Sequence, residues 1–440
     1  MRSSHNLERV SVSFDEDHLV PNAGLVGPAE LAQKLGVGEL VDERVKLKGP
    51  GRANSGIKAL TVVGAILAGG DSIEDTEVLR AGAAPRLFDR VRAPSTIGTW
   101  LRGFDWAAVR MLDAVLRIVL VRAWAAGLGP RLAAPLTIDC DSTICQTYGT
   151  KKQGGVFGHT RVRGYHPMVA SCAQTLELLH ARMRGGNAHS ARGAGSFIRE
   201  TIARVRAAGA TGQVTVPADS AFYASDFLWA CRRAGARFSV TAKLTRPIRR
   251  AIEAIPDDAW TAIPYWLDGG ADVAEVSHTL FAGTSQALDV RLIVRRVRPT
   301  PGSQLALDVV FDYHAFVTDR DGTMLDLEAD HRDHAVVELV IRDLKADAGL
   351  AHLPSGRFPA NAAWLGLATL AYNLGRWTLR AAGGDWARTT IGTLRRRLLS
   401  MPARLVSSAR RLRLRAPTDW PWQDALTRAR AVVAAIPAPG

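Results

Sequence analysis

Apolar and polar positions keep different rhythms in different parts of this chain. From Ser55 to about Trp124 apolar residues recur at helical spacing, with Ile57, Leu60, Val63 and Leu67 on one face. Between Leu136 and Val240 the rhythm shortens to strands alternating with helices. In LTIDCDS, Leu136, Ile138 and Cys140 share one strand face and Thr137, Asp139 and Asp141 the other. HPMVASC and TLELLHARM read as two more strands and Ser190 to Ala208 as a helix. QVTVPADS is a fourth strand ending in Asp219, SDFLWACRRAG a helix behind it, and RFSVTAKL a fifth strand. The predicted order is β-β-β-α-β-α-β.

Past this block, Trp266 to about Leu325 is β-rich, with turns at DGG, PTPG and DRDG. In DVRLIVRRVR, Val290, Leu292 and Val294 alternate with Arg291 and Arg295, so one strand face is basic. A helix is predicted from about His331 to Asp347 and another from Asn361 to Leu379. Residues 1 to about 50 show no clear period and read as irregular, closing on a KLKGPGR linker. In RAPSTIGTWLRGF, Ser95 is a candidate N-cap for a short helix carrying Thr96, Thr99, Trp100 and Arg102. That helix is either the second helix of a helix-turn-helix or part of an ordinary helical hairpin.

Composition narrows the function. The chain has 440 residues, enough for two or three domains, and is 47% hydrophobic, enough to bury a sizeable core. A formal charge of +14, mostly from arginine, points to a polyanionic partner. Cys140, Cys145, Cys172 and Cys231 form no CxxC pair and read as reduced core residues of a cytosolic protein. No apolar stretch is long enough to span a bilayer, and the N-terminus has no apolar signal-peptide core.

Against this basic background, three acids draw notice. Asp141 ends the first strand, Asp219 ends the fourth, and Glu338 lies in the later helix, on a face shared with His331, His334, Arg342 and Lys345. In a mixed sheet the first and fourth strands can lie side by side, bringing Asp141 and Asp219 together. Converging carboxylates suit Mg²⁺, and two such ions serve phosphodiester chemistry by activating a nucleophile and stabilising a leaving oxygen. Asp139 shares a face with Asp141 and competes for the first position. His159, His166 and Cys172 have no zinc-site spacing. GTKKQGGVFGHTRVRG lacks the order of a P-loop. As a hairpin loop it either tracks a phosphate backbone with Lys151, Lys152, Arg161 and Arg163 or is simply a solvated basic loop.

The stretches IDCDSTICQTYGTKKQGGVFGHTRVRGYHP, VPADSAFYASDF and VELVIRDLKAD resemble the DDE transposases of bacterial insertion sequences, within the group designated thirteen-eighty. The resemblance runs over nearly the whole chain. It takes in LRAGAAPRLFDRVRAPSTIGTWLR, RFPANAAWLGLATLAYNL and TLRRRLLSMPARLVSSARRLRLR. It implies an RNase H-like catalytic core with a β-rich insertion between the second Asp and the Glu. Carried over by position, the triad is Asp141, Asp219 and Glu338, with Asp139 and Lys345 in support. Related enzymes carry Tyr-x2-Arg-x3-Glu-x6-Lys on the Glu helix. Glu338 and Lys345 keep that spacing here, while His331 and His334 stand at the Tyr and Arg positions.

The resemblance and the pattern together predict five regions. Residues 1–128 are a helical DNA-binding region and 129–262 the first part of an RNase H-like α/β core with a mixed sheet and flanking helices. Residues 263–325 are the β-rich insertion, 326–385 the rest of the core with the Glu helix, and 386–440 an Arg-rich tail. The expected activity is Mg²⁺-dependent cleavage and strand transfer of double-stranded DNA, with two ions and Mn²⁺ able to substitute. Expected DNA contacts are the four basic loop residues, Arg291 and Arg295, and Arg395, Arg396, Arg397, Arg410 and Arg411. The resemblance implies a dimer on paired element ends, working in the bacterial cytoplasm at the nucleoid. The alternative is a transposase-derived DNA-binding protein without catalysis.

Overall fold

The computed structural model describes residues 6–49, 51–158, 160–266, 270–298, 311–333, 336–409 and 411–438. His159, His334, Arg410, the PTPG turn and the first two residues of DGG lie outside the described residues.

Among the described residues, nine strands form one sheet. They are β1 (Leu136–Ser142), β2 (Met168–Cys172), β3 (Leu178–Arg182), β4 (Val214–Ala218), β5 (Ala236–Thr241), β6 (Thr261–Ile263), β7 (Ala271–Leu280), β8 (Leu288–Val297) and β9 (Asp312–Thr318). Their spatial order is β6-β7-β8-β9-β5-β4-β1-β2-β3. β1, β4 and β5 run parallel to one another, and the remaining pairs are antiparallel. Helices Ala194–Ala207 and Ser225–Arg233 make the crossovers into β4 and β5. The mixed α/β class and the β-β-β-α-β-α-β order are therefore those expected from the alternation. The β-rich segment joins the same sheet, because β9 pairs with β5 through Phe316↔Thr241, Val317↔Val240 and Thr318↔Ser239.

The sheet leans on a 25-residue helix, Phe358–Ala382, in which Trp364, Tyr372 and Trp377 are all about fully buried. This helix also closes the sheet edge. The Asn373 side-chain amide accepts from Leu178 N at 2.8 Å and donates to Leu178 O at 2.8 Å, satisfying backbone groups that β3 turns away from β2.

Four expectations about the elements are corrected. Residues 1 to 50 are not all irregular: helices Val26–Lys34 and Val37–Arg44 bury Leu31, Leu35, Val37 and Val41, with Gly36 at φ +66° forming the turn between them. The Arg-rich end is not an extended tail. Strands Ala403–Ser408 and Arg411–Arg415 form a hairpin whose first strand also pairs with Leu19–Val20, and helix Gln423–Ala434 packs on helix Val26–Lys34. Lys34 Nζ reaches the carbonyls of Ala434 and Ile436 at 3.1 and 2.6 Å.

The third correction concerns the helix expected from His331 to Asp347. It is two helices, Met324–Arg332 and Val336–Asp347. The first is tied to the sheet through His331. One ring nitrogen meets Ser239 Oγ at 2.8 Å and the other Thr241 Oγ1 at 3.1 Å, while the ring stacks on Phe316. The helix expected around Ser95 spans Pro94–Arg102 with Ala93, not Ser95, at its N-cap. Trp100 is fully buried there, its indole N–H donating to Ser55 Oγ. It is thus a core residue rather than part of a reading face.

Candidate active site

The site begins with strand register. β1 and β4 pair in parallel through Leu136↔Val214 and Thr137↔Thr215. Continued at the same offset, that register sets Asp141 level with Asp219 where both strands end. Asp219 then caps the turn Ser220–Phe222, its Oδ1 accepting from Ala221 N at 3.0 Å. Helix Val336–Asp347 packs across β1 and carries Glu338 in its first turn. A cavity of about 150 Å³ is lined by Asp139, Asp141, Asp219, Thr241, His331 and Glu338. An adjoining open cleft is lined by Asp141, Thr143, Glu338, Arg342 and Lys345. The three acids, far apart in sequence, thus face one space.

The electrostatics are those of acids with cations nearby but no direct ion pair. Among the described residues, no cationic side chain lies within 4.0 Å of Asp139, Asp141, Asp219 or Glu338. Burial pushes the Asp141 carboxyl up to about 6, and the charges of Asp219 and Glu338 push the same way, while the Ser142 N–H and Lys345 oppose them. Desolvation on the pocket side also raises Asp219, against hydrogen bonds from Ala221 and Phe222 and the positive charge of Lys243. Asp139 lies two residues deeper. It is 2% exposed, neither carboxylate oxygen has a hydrogen-bond partner among the described residues, and burial alone pushes it up to about 7.

This donor set fits divalent cations. Hard carboxylate oxygens converge, none is in a direct ion pair among the described residues, and the repulsion that Asp141 feels from Asp219 and Glu338 is what a bound cation relieves. Asp141, Asp219 and Glu338 do not all close to within 4.8 Å of one another.

A family model, described as Transposase DDE domain group 1, matches residues 3–438. The chain belongs to that family. No curated protein sequence matches it. Among solved structures, a cryo-EM synaptic complex of piggyBac transposase with hairpin DNA is similar at TM-score 0.42 and 11% identity, covering 95% of this chain and 85% of that one. So loose a likeness adds nothing to the family assignment.

Within this transposase-family chain the predicted basic contacts divide sharply. Arg291 makes a two-pronged pair with Glu275 at 2.6 and 2.7 Å, and Arg295 Nη1 lies 2.5 Å from Glu328. Arg395 pairs with Asp347 at 2.9 Å and donates to Leu67 O. The basic face read from DVRLIVRRVR is covered, because helix Met324–Arg332 packs on it. These three arginines are engaged within the chain.

Lys152 turns inward to the Leu353 carbonyl, and Arg163 to that of Thr150. Lys151, Arg161, Arg396, Arg397 and Arg411 are exposed, Arg397 lying over the Trp422 ring. All four cysteines are buried and free. His166 is bound to Ala188 O at 2.7 Å, and neither it nor Cys172 joins a metal-sized cluster among the described residues. Among the described residues no helix is long and apolar enough to cross a membrane.

The sequence reading passed over two wall residues, Thr241 and His331 in its actual position on the β5 side. It also passed over Lys243, whose field reaches Asp219. The signal for Lys243 was its place near the end of RFSVTAKL, at the same sheet edge as both aspartates.

Proposed function

We propose that this chain is an insertion-sequence transposase that binds element ends and performs Mg²⁺-dependent cut-and-paste cleavage and strand transfer through Asp141, Asp219 and Glu338. The observation that carries this reading is the convergence of three carboxylates from β1, β4 and the Glu338 helix on one cavity, none of them in a direct ion pair among the described residues. Asp141, Asp219 and Glu338 would hold two divalent cations, Mg²⁺ with Mn²⁺ able to replace it. When bound, such ions activate an attacking oxygen and stabilise a leaving one on the phosphodiester.

The chain's own residues do the positioning. Lys345, two helical turns along from Glu338 and facing the same cleft, holds a phosphate as a point charge. His331, fixed by Ser239, Thr241 and Phe316, keeps the β5 wall rigid. Asp141 is the better candidate for the first acid, since it feels the fields of both Asp219 and Glu338, whereas Asp139 is buried beneath it.

Asp219→Asn is expected to abolish Mg²⁺-dependent cleavage of end DNA and leave binding intact, because it removes a metal ligand and not a DNA contact. Asp141→Asn and Glu338→Gln behave alike, and Asp139→Asn is milder. Cleavage assayed on labelled end DNA checks this. Near-normal cutting by the Asp219 variant removes it from the triad, and loss confined to Asp139→Asn moves the first acid to that position.

A further inference from the structure

The cations of this protein are not evenly available. Arg182, Arg204, Arg291, Arg295 and Arg296 are each paired with a carboxylate of the same chain. A different group stands beyond the end of β5. Lys243, Arg246, Arg249 and Arg250 are all exposed, and among the described residues none has a carboxylate within 4.0 Å.

Their arrangement follows from helix Arg246–Glu253. Ile248 and Ile252 fall one turn apart and are buried, which fixes the rotation of the helix. Arg246, Arg249 and Arg250, at spacings of three and four, then form a stripe on the outer face. Eight residues span about 12 Å, so the stripe stays close to its root. That root is the carboxyl edge of β5, the strand next to β4, at the edge where Asp219 stands. Lys243 is near enough to lower the Asp219 carboxyl. On the other side of the cavity, Arg342 and Lys345 line the cleft beside Glu338.

An acidic cavity bordered on both sides by unpaired cations fits one kind of ligand. The ligand is a polyanion long enough to cross the cavity, with phosphates on either side of the reacting one. We propose that helix Arg246–Glu253, with Lys243, is one bank of a channel whose other bank is the Glu338 helix. In it, Lys243, Arg246, Arg249 and Arg250 grip the sugar-phosphate backbone of duplex DNA next to the scissile position without reading sequence. The proposal rests on the DNA reading above and adds the strand path. Guanidiniums meet phosphate oxygens through paired N–H donors, and phosphate contacts position a duplex without specifying its bases.

The test is the salt dependence of binding, measured by fluorescence anisotropy on full-length protein without divalent cations. The probes are one duplex carrying an element end and one of random sequence. The variant combines Lys243→Ala, Arg246→Ala and Arg250→Ala. Arg249 is kept because its Nε donates to Leu244 O. The log–log slope is expected to become shallower by about 0.9 for each lost contact, equally on both duplexes, with an unchanged melting curve.

Arg298→Ala, at an exposed arginine already paired with Asp272, which keeps Arg296 as a partner, is expected to leave the slope unaltered. A triple-variant slope equal to that of the unaltered protein overturns the channel while leaving the transposase reading in place. An equal fall with Arg298→Ala also overturns it, since bulk charge then explains the effect. A flat slope in the unaltered protein overturns the DNA reading and this inference together.

Discussion

Arg295 Nη1 lies 2.5 Å from Glu328 Oε1, and Glu328 is 2% exposed. Removing the arginine strands a buried carboxylate, with only Arg332 nearby at 3.8 Å. Arg295→Met is expected to destabilise the fold by about 3 kcal/mol, read by denaturant unfolding, and to leave the salt slope of DNA binding unchanged. Arg246, on the outer stripe, should behave the opposite way. Glu177 offers a second contrast at this scale. It is fully buried against the Trp124 indole at 2.9 Å, and burial raises its carboxyl above the ordinary glutamate value. As pH rises, the unfolded chain releases this proton first, so stability falls from the ordinary value up to the raised folded one and stays lower above it. Glu177→Gln keeps an acceptor for Trp124 and cannot ionise. Its melting temperature relative to the unaltered protein is therefore expected to climb as pH is raised above the ordinary glutamate value. A constant difference over that rise would mean that Glu177 is not held protonated.

Elements differed in how openly the sequence declared them. β1 was legible because LTIDCDS alternates and its apolar face, Leu136, Ile138 and Cys140, is buried. The same alternation put Arg291 and Arg295 on one face of β8, but a period of two says only that they share a face. Whether that face meets solvent or a helix is a tertiary matter, and here a helix bearing Glu328 covers it. Helices Val26–Lys34 and Val37–Arg44 were hidden by Pro28, Gly36 and Gly38, which read as loop punctuation although Gly36 only turns one helix into the next. Of the site, both aspartates were visible as strand-end acids. The channel bank on helix Arg246–Glu253 was missed, because eight residues are too few for a periodic pattern to stand out. Packing between elements has its own test in Asn373. Asn373→Leu leaves the N–H and C=O of Leu178 without partners, at about 1–3 kcal/mol for each. Thermal unfolding should show that loss, and hydrogen exchange should show it first at β3. Protection at β3 equal to that of the unaltered protein would mean the amide clip does not hold the edge.

At the scale of the whole molecule, one chain offers one triad, while joining two element ends to one target requires two. The protein is therefore expected to be monomeric or weakly associated alone and to dimerise when end DNA is added, as read by light scattering. A transposition-competent complex of one protomer with one end would refute that. The molecule is also knotted together in sequence terms. Helix Val26–Lys34 is held by residues some four hundred positions later, through Lys34 with Ala434 and Ile436 and through Glu30 with Arg430 at 3.2 Å. Such distant contacts form late. On the ribosome, helix Val26–Lys34 can meet Val37–Arg44 early and Phe358–Ala382 later, but it lacks its C-terminal partner until the stretch beyond Gln423 has cleared the exit tunnel. A chain broken off between Glu338 and Gln423 thus carries all three acids but not the helix that closes on Val26–Lys34. For the proposed DNA cleavage, that coupling would limit damage from incomplete translation.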